Sequence, residues 1–185
     1  MEDILDAERS VVIDSGASSY LPLLDYMEEN DLVSRLREEG FDVFLHTIIN
    51  GGASLDFTTQ NFNDVAKSFG NEAKVVVWLN HVWEQIARDG KPFTEWRTYQ
   101  ANRDRLHCIL EIPKMASDMS AADFSAMLKE NQSFAEATNP QSSFRVMQRS
   151  RLMKVRRLMY AGMEAMDTPP PSRKLVGMPV EKVAS

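Results

Sequence analysis

Four short apolar runs punctuate the chain: Val11-Ile13, Val43-Ile49, Val75-Leu79 and His107-Ile112. Each is mostly continuous rather than alternating, the pattern of strands buried on both faces. It predicts a mostly parallel sheet with helices on each side. The stretches between the runs have helical spacing. Residues 21–39 read as one helix or two, with Asn30 or Asp31 as a cap before Leu32-Val33 and Gly40 as the stop. Ser54 is placed to cap a helix that buries Leu55, Phe62, Val65, Ala66 and Phe69 and ends at Gly70. Thr94 opens a helix through Trp96, Tyr99 and Arg103. Ser120 opens another, with Phe124, Met127 and Leu128 as its apolar side. The longest predicted helix runs over 143–166, where Phe144, Met147, Val155, Leu158, Met159 and Met163 keep near a 3.6 period. Arg151 falls on that stripe as an exception. Strands alternating with helices give a three-layer α/β fold. Residues 167–185, with Pro169-Pro170-Pro171, read as a disordered tail.

Composition narrows the class. The chain has 185 residues, 43% hydrophobic and 26% charged, enough for one globular domain with a real core. One cysteine, Cys108, excludes an internal disulfide framework and fits a reducing cytoplasm. No apolar run spans a bilayer, and the acidic start lacks the basic region of a signal peptide. The net charge of −6 argues against a surface devoted throughout to nucleic acid. Charge is nevertheless uneven. Residues 1–42 hold twelve acids and three bases, whereas residues 143–166 hold six bases and one acid. Such asymmetry marks an interaction surface, or two ends that pack together and neutralise.

Candidate chemistry collects where apolar runs stop. Val11-Val12-Ile13 ends on Asp14 and breaks into Ser15-Gly16-Ala17-Ser18-Ser19. A buried parallel strand delivers an acid to the carboxyl edge of a sheet in this way, where open α/β folds bind ligands. An acid at a turn, capping the following backbone, uses the same residues. Asn50-Gly51-Gly52 also links a strand to a helix, as an anion site or a tight turn. No lysine follows it as a phosphate loop requires, and no G-x-x-x-x-G-K-[ST] occurs anywhere in the chain. The histidines, His46, His81 and His107, lack the paired spacing of zinc ligands.

Several stretches share a wider pattern: residues 12–19, Leu45-His46-Thr47-Ile48-Ile49-Asn50-Gly51-Gly52, Val76-Val77-Trp78-Leu79-Asn80, Gly90-Lys91-Pro92-Phe93, Ile112-Pro113, Asp123-Phe124-Ser125 with Met127-Leu128, and Arg149-Ser150-Arg151-Leu152. In order and spacing they resemble the TraL family of plasmid conjugal-transfer proteins, relatives of the ParA/MinD partitioning ATPases. The resemblance covers roughly residues 10–165. It implies a partial SIMIBI-class P-loop fold over 1–166 with four core strands, lacking its N-terminal strand, phosphate loop and helix. A truncated gene, a late start codon or a cut chain would each produce that. By resemblance, Asp14 faces Mg²⁺ through water beside the γ-phosphate, and Ser15 and Gly16 belong to a switch loop. Asn80 and Pro113 line the adenine. ATP and Mg²⁺ would serve the complete family protein, while this chain, without the phosphate-loop lysine, is expected to bind neither tightly and to hydrolyse nothing. The expected partners are conjugative transfer components or a second copy. A further expectation is a non-enzymatic module. Its basic helix, with Arg145, Arg149, Lys154, Arg156 and Arg157, would meet a partner protein, DNA or a membrane surface.

Overall fold

A computed structural model describes residues 10–16, 19–82, 84–115 and 117–164. Three parallel strands, β1 (Phe44–Asn50), β2 (Lys74–Asn80) and β3 (Leu106–Ile112), form one sheet in the order β1-β2-β3. Pairing runs in register from Phe44 opposite Lys74 to Asn50 opposite Asn80. The β2–β3 pairing shifts at Val75/Val76, leaving His107 as an extra residue between Leu106 and Cys108. These are three of the four predicted strands, each within a residue of its apolar run.

Helices cover both faces. On the face of Leu45, Thr47 and Ile49, helix α3 (Leu55–Phe69) buries Phe62, Val65, Ala66 and Phe69 at the expected spacing. Its buried hydroxyls are satisfied within the helix: Thr58 donates to the Ser54 carbonyl at 2.8 Å and Thr59 to the Leu55 carbonyl at 2.6 Å. Helices α1 (Tyr20–Glu29) and α2 (Leu32–Glu38) pack beside α3 through Met27, Leu32 and Val33 against Phe69 and Ala73. Gly40, at φ +88°, ends α2, and the Phe41 amide reaches back to the Leu36 carbonyl at 2.9 Å. After β2 the chain forms a short 3₁₀ turn (Phe93–Glu95) and α4 (Arg97–Asn102). On the opposite face, α5 (Asp118–Lys129), α6 (Phe134–Ala137) and α7 (Val146–Glu164) enclose a second core around Phe124, Met127, Leu152 and Val155. The result is a three-layer α/β arrangement. Among the described residues no helix is long and apolar enough to cross a membrane.

The structure corrects several expectations. Val11, Val12 and Ile13 form no strand; they are exposed, Val12 by 93%. A β-branched run has strand character only where a neighbouring strand and a packed face receive it, and among the described residues this run has neither. Among the described residues Asp14 therefore does not end a sheet strand, and three of the four expected core strands form. The predicted Thr94–Arg103 helix is interrupted at Trp96, whose extended ψ of 146° separates the 3₁₀ turn from α4. Helix α5 starts earlier than Ser120, because the Ser117 hydroxyl accepts the Ser120 amide as its N-cap. Leu128, Met147 and Met163 are exposed rather than core. The acidic helices α1–α2 and the basic α7 lie on opposite faces of the sheet, so they do not neutralise each other. The tail at 167–185 and the end of the long helix at 165–166 lie outside the described residues.

Candidate functional site

Two of the predicted site residues, Asn80 and Pro113, lie at the carboxyl edge of the sheet. Asn50 ends β1, Asn80 ends β2 and Pro113 follows β3. The two asparagines pair directly: the Asn80 Nδ2 donates to Asn50 Oδ1 at 2.9 Å. The Asn80 Oδ1 accepts the Val82 amide at 3.2 Å, so both ends of this side-chain amide are engaged inside the edge. The His81 amide donates to the Ile112 carbonyl at 2.9 Å, tying the segment after β2 to the end of β3 beside Pro113.

The same segment then folds over the turn after β1. A Cβ built on Gly51 would lie 2.8 Å from Glu84 Cβ and 3.1 Å from the Glu84 carbonyl oxygen. Gly52, at φ +66°, lies against the Glu84 carboxylate. Both glycines serve close approach of a neighbouring segment. The exposed Glu84 side chain places its carboxylate against Gly52, so Asn50-Gly51-Gly52 is a tight turn already occupied by a carboxylate. The segment is held down by Ile86, buried beneath it, and by the Ile86 amide donating to His81 Nδ1 at 3.3 Å. An ion pair from Arg88 to Asp56 on α3 and the stacking of Arg88 on Trp96 at 4.9 Å complete the closure.

Asp14, Ser15 and Gly16 are not strand-end groups of this edge. They lie in an irregular segment, and Ser19 closes a turn there by donating its amide and hydroxyl to the Gly16 carbonyl at 3.0 and 3.1 Å. This is the turn entering a helix that the same residues also allow. Ser18 lies outside the described residues. Among the described residues Asp14 is exposed, the Asn80 amide donates one hydrogen bond and accepts one, and the Glu84 carboxylate lies against the glycine turn.

Beyond the edge, β1 pairs with β2 alone among the described residues, leaving its outer edge open. Next to that edge, on the face away from α3, His46 and Ile48 are exposed. Trp78 bridges to this pair, its Nε1–H donating to His46 Nδ1 at 2.9 Å. Partial desolvation of the ring beside Trp78 pulls the His46 pKa below its ordinary value, and the bond requires an unprotonated Nδ1. The sign follows: the folded state holds its proton more weakly than the unfolded chain. This contribution is complete above the ordinary histidine range and is lost as pH falls through the lowered value. Acidification below the ordinary histidine value of about 6.5 should progressively release Trp78 and shift its fluorescence, and His46→Phe should abolish that transition. Burial likewise pushes the Cys108 thiol up, away from reactive thiolate character, and Cys108 is half-buried rather than fully core.

The basic helix carries the other predicted residues. Arg145, Lys154, Arg156 and Arg157 are exposed, whereas Arg149 turns back to donate to the Phe144 carbonyl at 2.6 Å. Arg151, the exception on the apolar stripe, is explained by a partner that the sequence reading did not mark. Its Nε lies 2.5 Å from Oδ2 of Asp123, which is buried on α5. Gln148 donates to Asp123 Oδ1 at 3.1 Å and accepts the Arg145 amide at 2.9 Å, so one glutamine joins the acid to the start of α7. A cation on an apolar helix stripe is itself the signal that a buried acid faces it. No comparable sequence signal marks Glu84.

An α/β protein with a parallel sheet, a loop laid over its carboxyl edge and a surface helix rich in arginine is thus defined by its geometry. Two proteins named TraL, both from Escherichia coli, match it at 36% identity over 164 residues and 38% over 165. Each match covers 89% of this chain and 68% of the relative. The chain belongs to the TraL family. No family model matches it, and no solved structure does.

Proposed function

We propose that this chain is a cytoplasmic component of plasmid conjugative transfer that works by binding rather than by hydrolysing ATP itself. The single observation that carries the transfer role is its identity to the TraL proteins along 89% of its length. In the wider reading, the complete family protein is a ParA/MinD-like nucleotide switch, with Asp14 on the Mg²⁺ side, Ser15 and Gly16 in the switch loop, and Asn80 and Pro113 on the adenine side. For this chain taken alone, the closed edge supports weak nucleotide binding at most. Asn80 is spent on Asn50 and Val82, and Glu84 occupies the glycine turn. Calorimetric titration with ATP and Mg²⁺ should register no binding in the micromolar range, and a tighter association would sink the reading. The transfer role is tested separately, by deleting the gene from its plasmid and measuring transfer frequency with and without complementation.

A second reading, an interaction module working through α7, is favoured by what that helix exposes. Val146, Met147, Met153 and Tyr160 stand in solvent among Arg145, Lys154, Arg156 and Arg157. Isolated apolar side chains on a surface are ordinary, but four on one helix interleaved with cations form a patch of the kind that partners cover.

A further inference from the structure

Helix α7 already buries one side, through Leu152 and Val155, yet its outer side carries a second stripe. Val146, Met153 and Tyr160 recur every seven residues, so they line one narrow track, and they are 68%, 49% and 43% exposed. Arg156 and Arg157 flank the track, and the Arg156 guanidinium lies 5.1 Å over the Tyr160 ring. Among the described residues neither these two arginines nor Lys154 forms an ion pair. At the start of the helix, Arg145, Val146, Met147, Gln148 and Arg151 line an open depression of 610 Å³. A partner suited to this surface is therefore helical or extended and acidic, with an apolar side chain to set on the track.

An acidic helical surface with one exposed leucine lies on the opposite side of the same chain. Helix α1 buries Met27 and presents Leu21, Asp25 and Glu28 at spacings of four and three, on one outer track, with Glu29 adjacent. Leu21 is 60% exposed. Asp25, Glu28 and Glu29 have no ion pair among the described residues, and Asp25 and Glu29 repel each other one turn apart. The two surfaces complement each other in charge, and Leu21 offers one exposed apolar side chain to the α7 track. They cannot meet within one molecule, because α1 packs beside α3 on the Leu45–Ile49 face and α7 packs on the face of Leu110 and Ile112.

We infer that the occupant of the α7 track is α1 of a second copy, giving head-to-tail self-association. This rests on reading α7 as an interaction surface and is independent of any nucleotide chemistry. Because the two surfaces are different and face opposite ways, the contact is heterologous. It extends beyond a dimer, into rings if the rotation closes and into open chains if it does not. The attraction is between exposed charges, so salt weakens it.

The test is sedimentation velocity on the full chain over a range of concentrations at about 50 mM and about 500 mM salt. The expected result at low salt is a weight-average mass that climbs with concentration from the 21.0 kDa monomer and passes the dimer. At high salt the association should weaken about tenfold or more. The exposed double variants Arg156→Glu with Arg157→Glu, and Glu28→Lys with Glu29→Lys, should each be monomeric at low salt. Combining all four substitutions in one chain should restore association, which general changes in net charge or folding would not do. Circular dichroism confirms that each variant is folded. A wild-type chain that stays monomeric at low salt overturns the inference, as does association that all the variants retain. Binding of duplex DNA or anionic vesicles by a chain that remains monomeric also overturns it, while leaving α7 an interaction surface.

Discussion

Replacing Arg151 with alanine should cost about 3 kcal/mol of stability, the penalty for leaving a buried charge without its partner. The Asp123 carboxylate is 8% exposed and the Arg151 side chain 23%, so solvent screens the pair little. Burial by itself would push the Asp123 carboxyl up. Hydrogen bonds from Arg151 and Gln148, with the charge of Arg151, more than offset this and hold it below the usual carboxylate range. The folded state thus binds its proton more weakly than the unfolded chain does. The pair's contribution is complete above the ordinary carboxylate value, about 3.9, and is lost as pH falls through the lower folded value. In Arg151→Ala the acid stays buried without a cation, so its pKa rises and the deficit relative to wild type should shrink on acidification. Urea unfolding at neutral pH and near pH 4 reads both effects. Thermal scans should show a loss of roughly 2–4 °C per kcal/mol for a chain of this size. Replacing both partners, as Asp123→Leu with Arg151→Met, should recover most of the loss, because two apolar groups leave no charge to desolvate. Failure of the double variant to recover would mean that the pair fixes the α5–α7 geometry in a way apolar packing cannot replace.

That pair also marks how far the sequence could be read. The three sheet strands are legible because a strand buried on both faces is written as a continuous apolar run of limited length. The ends of α2 and α3 are legible because Gly40 and Gly70 stop them locally. Val11-Val12-Ile13 carries the same local signal as the true strands, but a strand exists only through its neighbour, and pairing is not written in three residues. Arg151 was visible as an anomaly on an apolar stripe. Its reason lies 28 positions away at Asp123, a separation that only the folded chain closes. The site divides in the same way. Asn80 and Pro113 were placed at the carboxyl edge by the strands they follow, whereas the closure of that edge depends on Glu84 meeting Gly51 and Gly52 across a long loop. The residues that hold this loop down are the least legible of all, because they sit in a stretch punctuated by glycine and proline.

Phe93→Ala should be as damaging as the loss of Arg151, at about 3–5 kcal/mol, the range for deleting a fully buried aromatic side chain. Phe93 is 2% exposed and is the hub of an aromatic cluster. Its ring meets Phe62 at 5.6 Å, Trp96 at 5.4 Å and Tyr99 at 5.4 Å, each edge to face. Such contacts add to simple area burial, and the rigid sheet and α3 behind them would collapse little into the cavity. The consequence is local as well as global. Trp96, which donates its Nε1–H to the Lys91 carbonyl at 2.9 Å and carries Arg88 on its face, is positioned by Phe93. Arg88 in turn ties the loop to Asp56. Loss of the Phe93 ring should therefore loosen the loop from Val82 to Trp96 before the sheet, and expose the Asn50–Asn80 pair. Hydrogen exchange should show the Arg88 and Lys91 amides, which bridge to each other's carbonyls, losing protection while the amides of β2 keep theirs. Equal loss at both places would mean that the loop and the sheet open as one unit. The closure over the carboxyl edge would then be part of the core rather than a separable cover.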